Sequence, residues 1–260
     1  MRTSSLALLL GLTLIGCVGE VDVSSGPGTG NGSGSGSGSG SGRGSGSGSN
    51  SVPDPAIAAS VDKPTIASEL LSTNQITVTV TGSNGFEGDA TITATAVDAA
   101  NAPIADWTVT LMNSTVTMTT DGTATAVAIL KIPSDSTALT GKVKFAITAG
   151  TLTSTAESDV TATNQVTLNV VNTGGNCTYP ATKATTVHVG TAIRWMNDMS
   201  SDTNMTVHVG TNPGVSGMKH EQDAKAPGTA YVQTPTGTGN TDWYCHNEND
   251  PGNLSVTVVQ

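Results

Sequence analysis

What this chain of 260 residues lacks already restricts what it can do. Basic side chains are few: Lys and Arg together number 10 against 20 Asp and Glu, for a net charge of −10. A surface of that sign repels nucleic acid and anionic headgroups and favours solubility and cationic partners. Between residues 51 and 163 no stretch of any length carries helical periodicity, so the periodic segments there read as strands. No nucleophile-elbow or zinc-protease motif accompanies the serines and histidines, which leaves hydrolysis without support. Between residues 51 and 163 there is no histidine and no cysteine, so metal or thiol chemistry is confined to the other parts of the chain.

Met1 to Gly16 reads as an export signal. Arg2 supplies the positive start and Leu6 to Ile15 an apolar core too short to span a bilayer as a stable helix. The core ends Leu14-Ile15-Gly16-Cys17, which resembles a bacterial lipobox. The resemblance implies cleavage before Cys17 and acylation of its sulfur and amine, with a cell-envelope protein anchored in the outer membrane or at the cell surface. The alternative is an ordinary secreted protein with a chance cysteine. Residues 17–50 then form the lipidated N-terminus and a tether. Ser24 to Asn50 is almost pure Gly-Ser, which cannot bury a core and reads as a flexible, disordered linker.

Residues 51–163 shift to Thr, Val, Ala and Ile. Gln75 to Thr81 alternates apolar and polar, and so do Ala90 to Val97, Trp107 to Leu111, Ala124 to Ile132 and Lys142 to Ala149. Gly82-Ser83-Asn84-Gly85, Asp121-Gly122 and Ala149-Gly150 punctuate them as turns. Short strands with regular turn signals indicate a β-sandwich. Gly85 to Ile92 and Thr119 to Ala126 resemble bacterial immunoglobulin-like modules. The acids Glu69, Asp89 and Asp106 are scattered and lie at loops, as solvated surface acids do. This half reads as a spacer or adhesive module.

Residues 164–260 hold every histidine. Gln165 to Val171, Thr185 to Val189, Ala192 to Asn197, Thr206 to Val209, Gly228 to Tyr231, Asp242 to Cys245 and Leu254 to Val259 read as strands, with a turn at Asn172 to Asn176. Tyr179-Pro180, Thr186 to Val189, Gly190-Thr191-Ala192-Ile193-Arg194-Trp195-Met196-Asn197, Val207-His208-Val209 and Tyr244-Cys245 follow the order of the plastocyanin and azurin group of cupredoxins. The resemblance implies a Greek-key sandwich carrying copper for one-electron transfer to a redox protein partner. His208 and Cys245 are then the core ligands, completed by His246 or by Glu248, which stands where the family has its second histidine. The family's axial methionine falls on Asn253 or Gly252, so that sulfur is missing.

Other readings of these residues stay open. A blue-copper site needs a thiolate and two imidazoles in a trigonal plane. Adjacent residues on an extended chain point to opposite sides, so Cys245 and His246 share a metal only across a sharp turn. Met218 and His220 lie in a polar loop that could fold over the site. His188 and His208 each sit between two valines, the setting of a strand histidine facing away from them. Trp195 and Trp243 read most simply as core aromatics. With Cys17 lipidated, Cys177 and Cys245 remain, and outside the cytoplasm two thiols often become one disulfide.

The sequence thus predicts an all-β chain of two β-sandwich domains after a disordered linker, immunoglobulin-like at 51–163 and cupredoxin-like at 164–260. It predicts no enzyme and no nucleic-acid partner. It predicts a membrane-anchored copper carrier or, as the alternative, a metal-free structural or recognition lipoprotein with a Cys177–Cys245 disulfide.

Overall fold

The alternation of β-branched and polar residues that marks the strands in sequence is the alternation that buries them. In Ser72–Ser83, Ile76, Val78 and Val80 are fully buried while the threonines between them stay nearer solvent. Burying one such side chain contributes about 1.5–3 kcal/mol, so the pattern fixes which face turns inward. The computed structural model describes residues 52–179, 184–209, 215–220, 223–245 and 254–260. The export signal, Cys17 and the Gly/Ser tether lie outside the described residues. No α-helix occurs among the described residues.

The strands are β1 (Ala56–Val61), β2 (Thr65–Leu70), β3 (Ser72–Ser83), β4 (Gly88–Val97), β5 (Thr108–Leu111), β6 (Thr115–Met118), β7 (Thr123–Ile132) and β8 (Thr140–Ala149). They continue as β9 (Leu152–Thr173), β10 (Asn176–Thr178), β11 (Ala184–His188), β12 (Ala192–Asn197), β13 (Val207–Val209), β14 (Ala230–Gln233), β15 (Gly239–Cys245) and β16 (Ser255–Val259).

One sheet runs β1-β3-β7-β5, and facing it β9, β8, β4 and β6 run side by side, with β2 parallel to β9. A four-stranded sheet against a three-stranded one, extended here by β6, is the immunoglobulin strand order. The first half is therefore an immunoglobulin-like β-sandwich. In the second half β14-β12-β9, with β10 on β9, lies in one sheet and β11-β16-β15-β13 in another. In this half β12 pairs parallel with β9, and β11 pairs parallel with β16.

The two halves share β9. This 22-residue strand pairs with β8 through Leu152 to Thr161 and with β12 through Gln165 to Val170. At about 3.3 Å per residue it spans roughly 70 Å. The division anticipated between residues 163 and 164 falls inside it, and the chain from Asn50 to Gln260 forms one compact unit. Polar contacts tie the halves across that point. Glu69 on β2 accepts hydrogen bonds from Gln165 Nε2 at 2.7 Å and Thr167 Oγ1 at 2.6 Å. The ring nitrogens of His188 face the main-chain oxygens of Gln260 and Asp135, the latter 2.9 Å from Nε2.

Candidate functional site

Two short segments meet in the core of the second half: Cys177-Thr178-Tyr179 at β10, and Trp243-Tyr244-Cys245 at the end of β15. Cys177 and Cys245 form a disulfide, with Cα atoms 6.3 Å apart, inside the separation of about 4.4–6.8 Å that such a bond requires. Both are buried. Because β10 hangs from β9 and β15 lies in the other sheet, the bond pins one sheet to the other. The flanking aromatics close around it. Tyr179 packs edge-on against Trp243 with ring centres 5.5 Å apart, and its hydroxyl oxygen accepts the Cys245 main-chain N–H at 3.0 Å. Trp243 in turn meets Trp195 at 6.2 Å, and both indoles are buried core residues. An inter-sheet disulfide beside a buried tryptophan is how antibody-type sandwiches fix the spacing of their sheets.

The ligand set suggested by the cupredoxin resemblance does not assemble among the described residues. Its thiolate is replaced by a disulfide sulfur at Cys245. Its first imidazole points the other way. β13 and β15 pair antiparallel with Val207 opposite Cys245 and His208 opposite Tyr244. Residues directly opposite share a face, and their neighbours along the strand take the other face. Val207 and Cys245 therefore look inward, whereas His208 and Tyr244 look outward, with their rings stacked at 4.9 Å. His246 and Glu248 lie outside the described residues. Among the described residues no group of three or more His, Cys, Asp or Glu side chains is placed to hold a metal ion. Of the expected ligands that are described, Cys245 is bridged and His208 takes the opposite face, so these two do not converge on one point.

A different arrangement replaces the expected one. Of the polar loop, described over residues 215–220, Met218 packs against the hydrophobic core while His220 turns to the outer face. His220 meets His208 edge to face with ring centres 3.9 Å apart. Main-chain groups of Lys219 bond the Gln233 side chain, its N–H donating to Oε1 at 2.8 Å and its carbonyl accepting from Nε2 at 2.7 Å. His208 is only 9% exposed as a result. It is a packed strand histidine under a clamped loop. The sequence carried the signal in the flanking valines, which had to face the core and so turn His208 away from it.

Loop carboxylates brace the same half. Asp202 accepts from the Gly174 main-chain N–H at 2.8 Å and from Thr203 Oγ1 at 2.6 Å. The Thr203 hydroxyl foremost, then the Gly174 N–H, hold its carboxyl below the usual carboxylate range. Asp198 is lowered similarly by the main-chain N–H and then the hydroxyl of Ser200. These groups stabilise turns.

The site and sheets together define an all-β sandwich protein with a pinned core. No family model matches the chain, and no curated protein matches it. Among solved structures, domains 4 and 5 of the S-layer protein SbsC align over 42% of this chain at 16% identity with a TM-score of 0.28. The chain spans about half, 54%, of that structure's length. The Salmonella enterica SafA pilin in complex with the SafB chaperone aligns over 72% of this chain and 88% of its own, at 11% identity and a TM-score of 0.27. Titin tandem domains A164-A165 align over 80% and 99%, at 10% identity and a TM-score of 0.26. The fold assignment rests on this chain's own strand order.

Proposed function

We propose that the protein is a metal-free structural and recognition lipoprotein of the cell envelope. In this reading Cys17 carries the anchor, the Gly/Ser tether holds the folded part off the membrane, and the joined sandwiches present their outer faces to partners. The observation that carries the reading is the Cys177–Cys245 disulfide, because it commits the sulfur a copper carrier would need. The shared strand β9 supports it as well, since it runs from one module into the other, with a register shift against β2 between Thr163 and Val166 at the joint. A fold by itself does not decide function, so the weight falls on the state of that sulfur.

The test is Cu(II) titration of the full chain followed in the visible. A disulfide sulfur gives no intense thiolate-to-copper charge-transfer band. An intense band that disappears in Cys245→Ser would overturn the structural reading and restore electron transfer. The anchor is tested separately: Cys17→Ser should move the protein from the membrane fraction to the soluble one, and a variant that stays with membranes contradicts the lipid attachment.

A further inference from the structure

The outward face of the first sandwich is hollowed across β4, β8 and the start of β9. Thr93, Ala146 and Thr155 stand in one row across the three strands, and Thr95, Lys144 and Glu157 in the next. Ala146 is the smallest side chain of the six and lies on the middle strand, so the floor is low there. Asn101 and Pro103, in the loop after β4, wall one side of a trough of about 620 Å³. Sites for small ligands fall at about 300–1,000 Å³.

The loop wall is preformed. Asp98 Oδ1 accepts from the Ala100 and Ala102 N–H groups, both at 2.8 Å. The Asp98 and Ile104 N–H groups bond the Ala102 and Ala96 carbonyls at 2.9 and 3.0 Å. Asn101 takes a left-handed backbone with φ 64°, which asparagine tolerates better than most residues. Beneath the loop, a Cβ on Gly141 would come within 2.5 Å of Ile104 Cδ1 and 2.9 Å of the Val97 oxygen. Glycine there lets the loop sit down on the sheet.

The charges balance. Lys142 binds Glu157 at 2.7 Å and Asp159 at 3.4 Å, and Lys144 Nζ donates to the neutral Asn101 Oδ1 at 2.7 Å. Lys144 and Glu157 are the charged side chains lining the trough and balance each other, as Lys142 and Asp159 do beside it, while the trough offers ammonium, amide, carboxylate and hydroxyl groups. Threonine methyls, Ala146 and the Pro103 ring supply apolar surface between them. The chain as a whole carries −10, which repels polyanions. Alternating donors and acceptors over an apolar floor, with no net charge, match the vicinal hydroxyls and the carbon face of an uncharged sugar ring.

We infer that this trough binds a neutral hexose unit of a polysaccharide. The inference deepens the recognition reading above and rests on it. Native gel electrophoresis of the full chain through dextran, mannan and galactan tests it. At least one of the three should retard the protein, and the retardation should persist at high salt because no ion pair with the ligand is involved. Ala146→Trp fills the floor from the outside and should weaken the interaction roughly tenfold or more. Lys144→Met removes the ammonium donor and should weaken it about three- to tenfold. Both positions face outward, so both variants should keep the parent's melting temperature. Three outcomes overturn the inference: no retardation by any of the three polymers, equal retardation of Ala146→Trp and the parent, or retardation by polygalacturonate alone. Failure with the Cys177–Cys245 bond intact removes the sugar site and leaves the structural reading standing. A reactive Cys245 thiolate that binds copper removes the structural reading whatever the gels show.

Discussion

Replacing both cysteines of the core, Cys177→Ala with Cys245→Ala, removes a cross-link between residues 68 apart in sequence. In the chain-entropy description the link stabilises the fold by restricting the unfolded chain, and closing a loop of that length corresponds to about 4 kcal/mol at 25 °C. That is a large share of the roughly 5–15 kcal/mol by which folded proteins exceed their unfolded states. The compact unit runs from Asn50 to Gln260, a size at which 1 kcal/mol moves the melting temperature by about 2–4 °C. The expected loss is therefore roughly 8–16 °C in calorimetry. Urea unfolding adds an independent check. Without the link the unfolded chain expands and exposes more surface, so the denaturant slope should rise as the midpoint falls. Reductant added to the parent should reproduce both changes. A double variant that melts within about 2 °C of the parent, with an unchanged slope, refutes the assignment of a stabilising bridge at this position.

Other expectations concern the joints of the molecule. Glu69→Ala leaves Gln165 and Thr167 without their carboxylate acceptor, and two charge-assisted bonds at a half-buried joint should cost about 1–3 kcal/mol in urea unfolding. His220→Ala removes the ring packed on His208. It should destabilise by about 0.5–1.5 kcal/mol and speed amide exchange in residues 215–220 while far-ultraviolet circular dichroism stays unchanged. Asp202 has a folded pKa below its unfolded value, so its contribution is present above the unfolded value near 4 and is lost as pH falls through the folded one. Asp202→Asn should therefore lower the melting temperature at pH 7, and the difference from the parent should shrink as the pH drops below about 4.

Strand alternation made much of the fold legible. Gln75 to Thr81, Ala124 to Ile132 and Lys142 to Ala149 fall within β3, β7 and β8, because each buries one face and the two-residue period records it. The short β1, β2, β6 and β10 leave no such mark, since three to six residues carry too little periodicity to stand out from loop sequence. The first half of β9 is equally silent in sequence. Thr151 to Thr163 is mostly small and polar, so its pairing with β8 and β2 leaves no apolar rhythm, and the change in composition at residue 164 lies within the strand. At the candidate site the sequence order of Tyr179, Trp195, His208 and Cys245 was legible, but their directions were not. Which face His208 takes depends on its register against Tyr244, a long-range property. The trough over Ala146 was equally hidden, because the loop at Asn101 and Pro103 comes over the sheet only in three dimensions.

The most direct measurement is peptide mapping of the purified full chain under non-reducing conditions after blocking free thiols in denaturant. The account predicts one cross-linked species joining the peptide that contains Cys177 to the peptide that contains Cys245, with neither cysteine alkylated until reductant is added. Quantitative alkylation of Cys245 before reduction would contradict it, because a free thiol at that position makes the sulfur a ligand again and takes away the observation on which the structural reading stands.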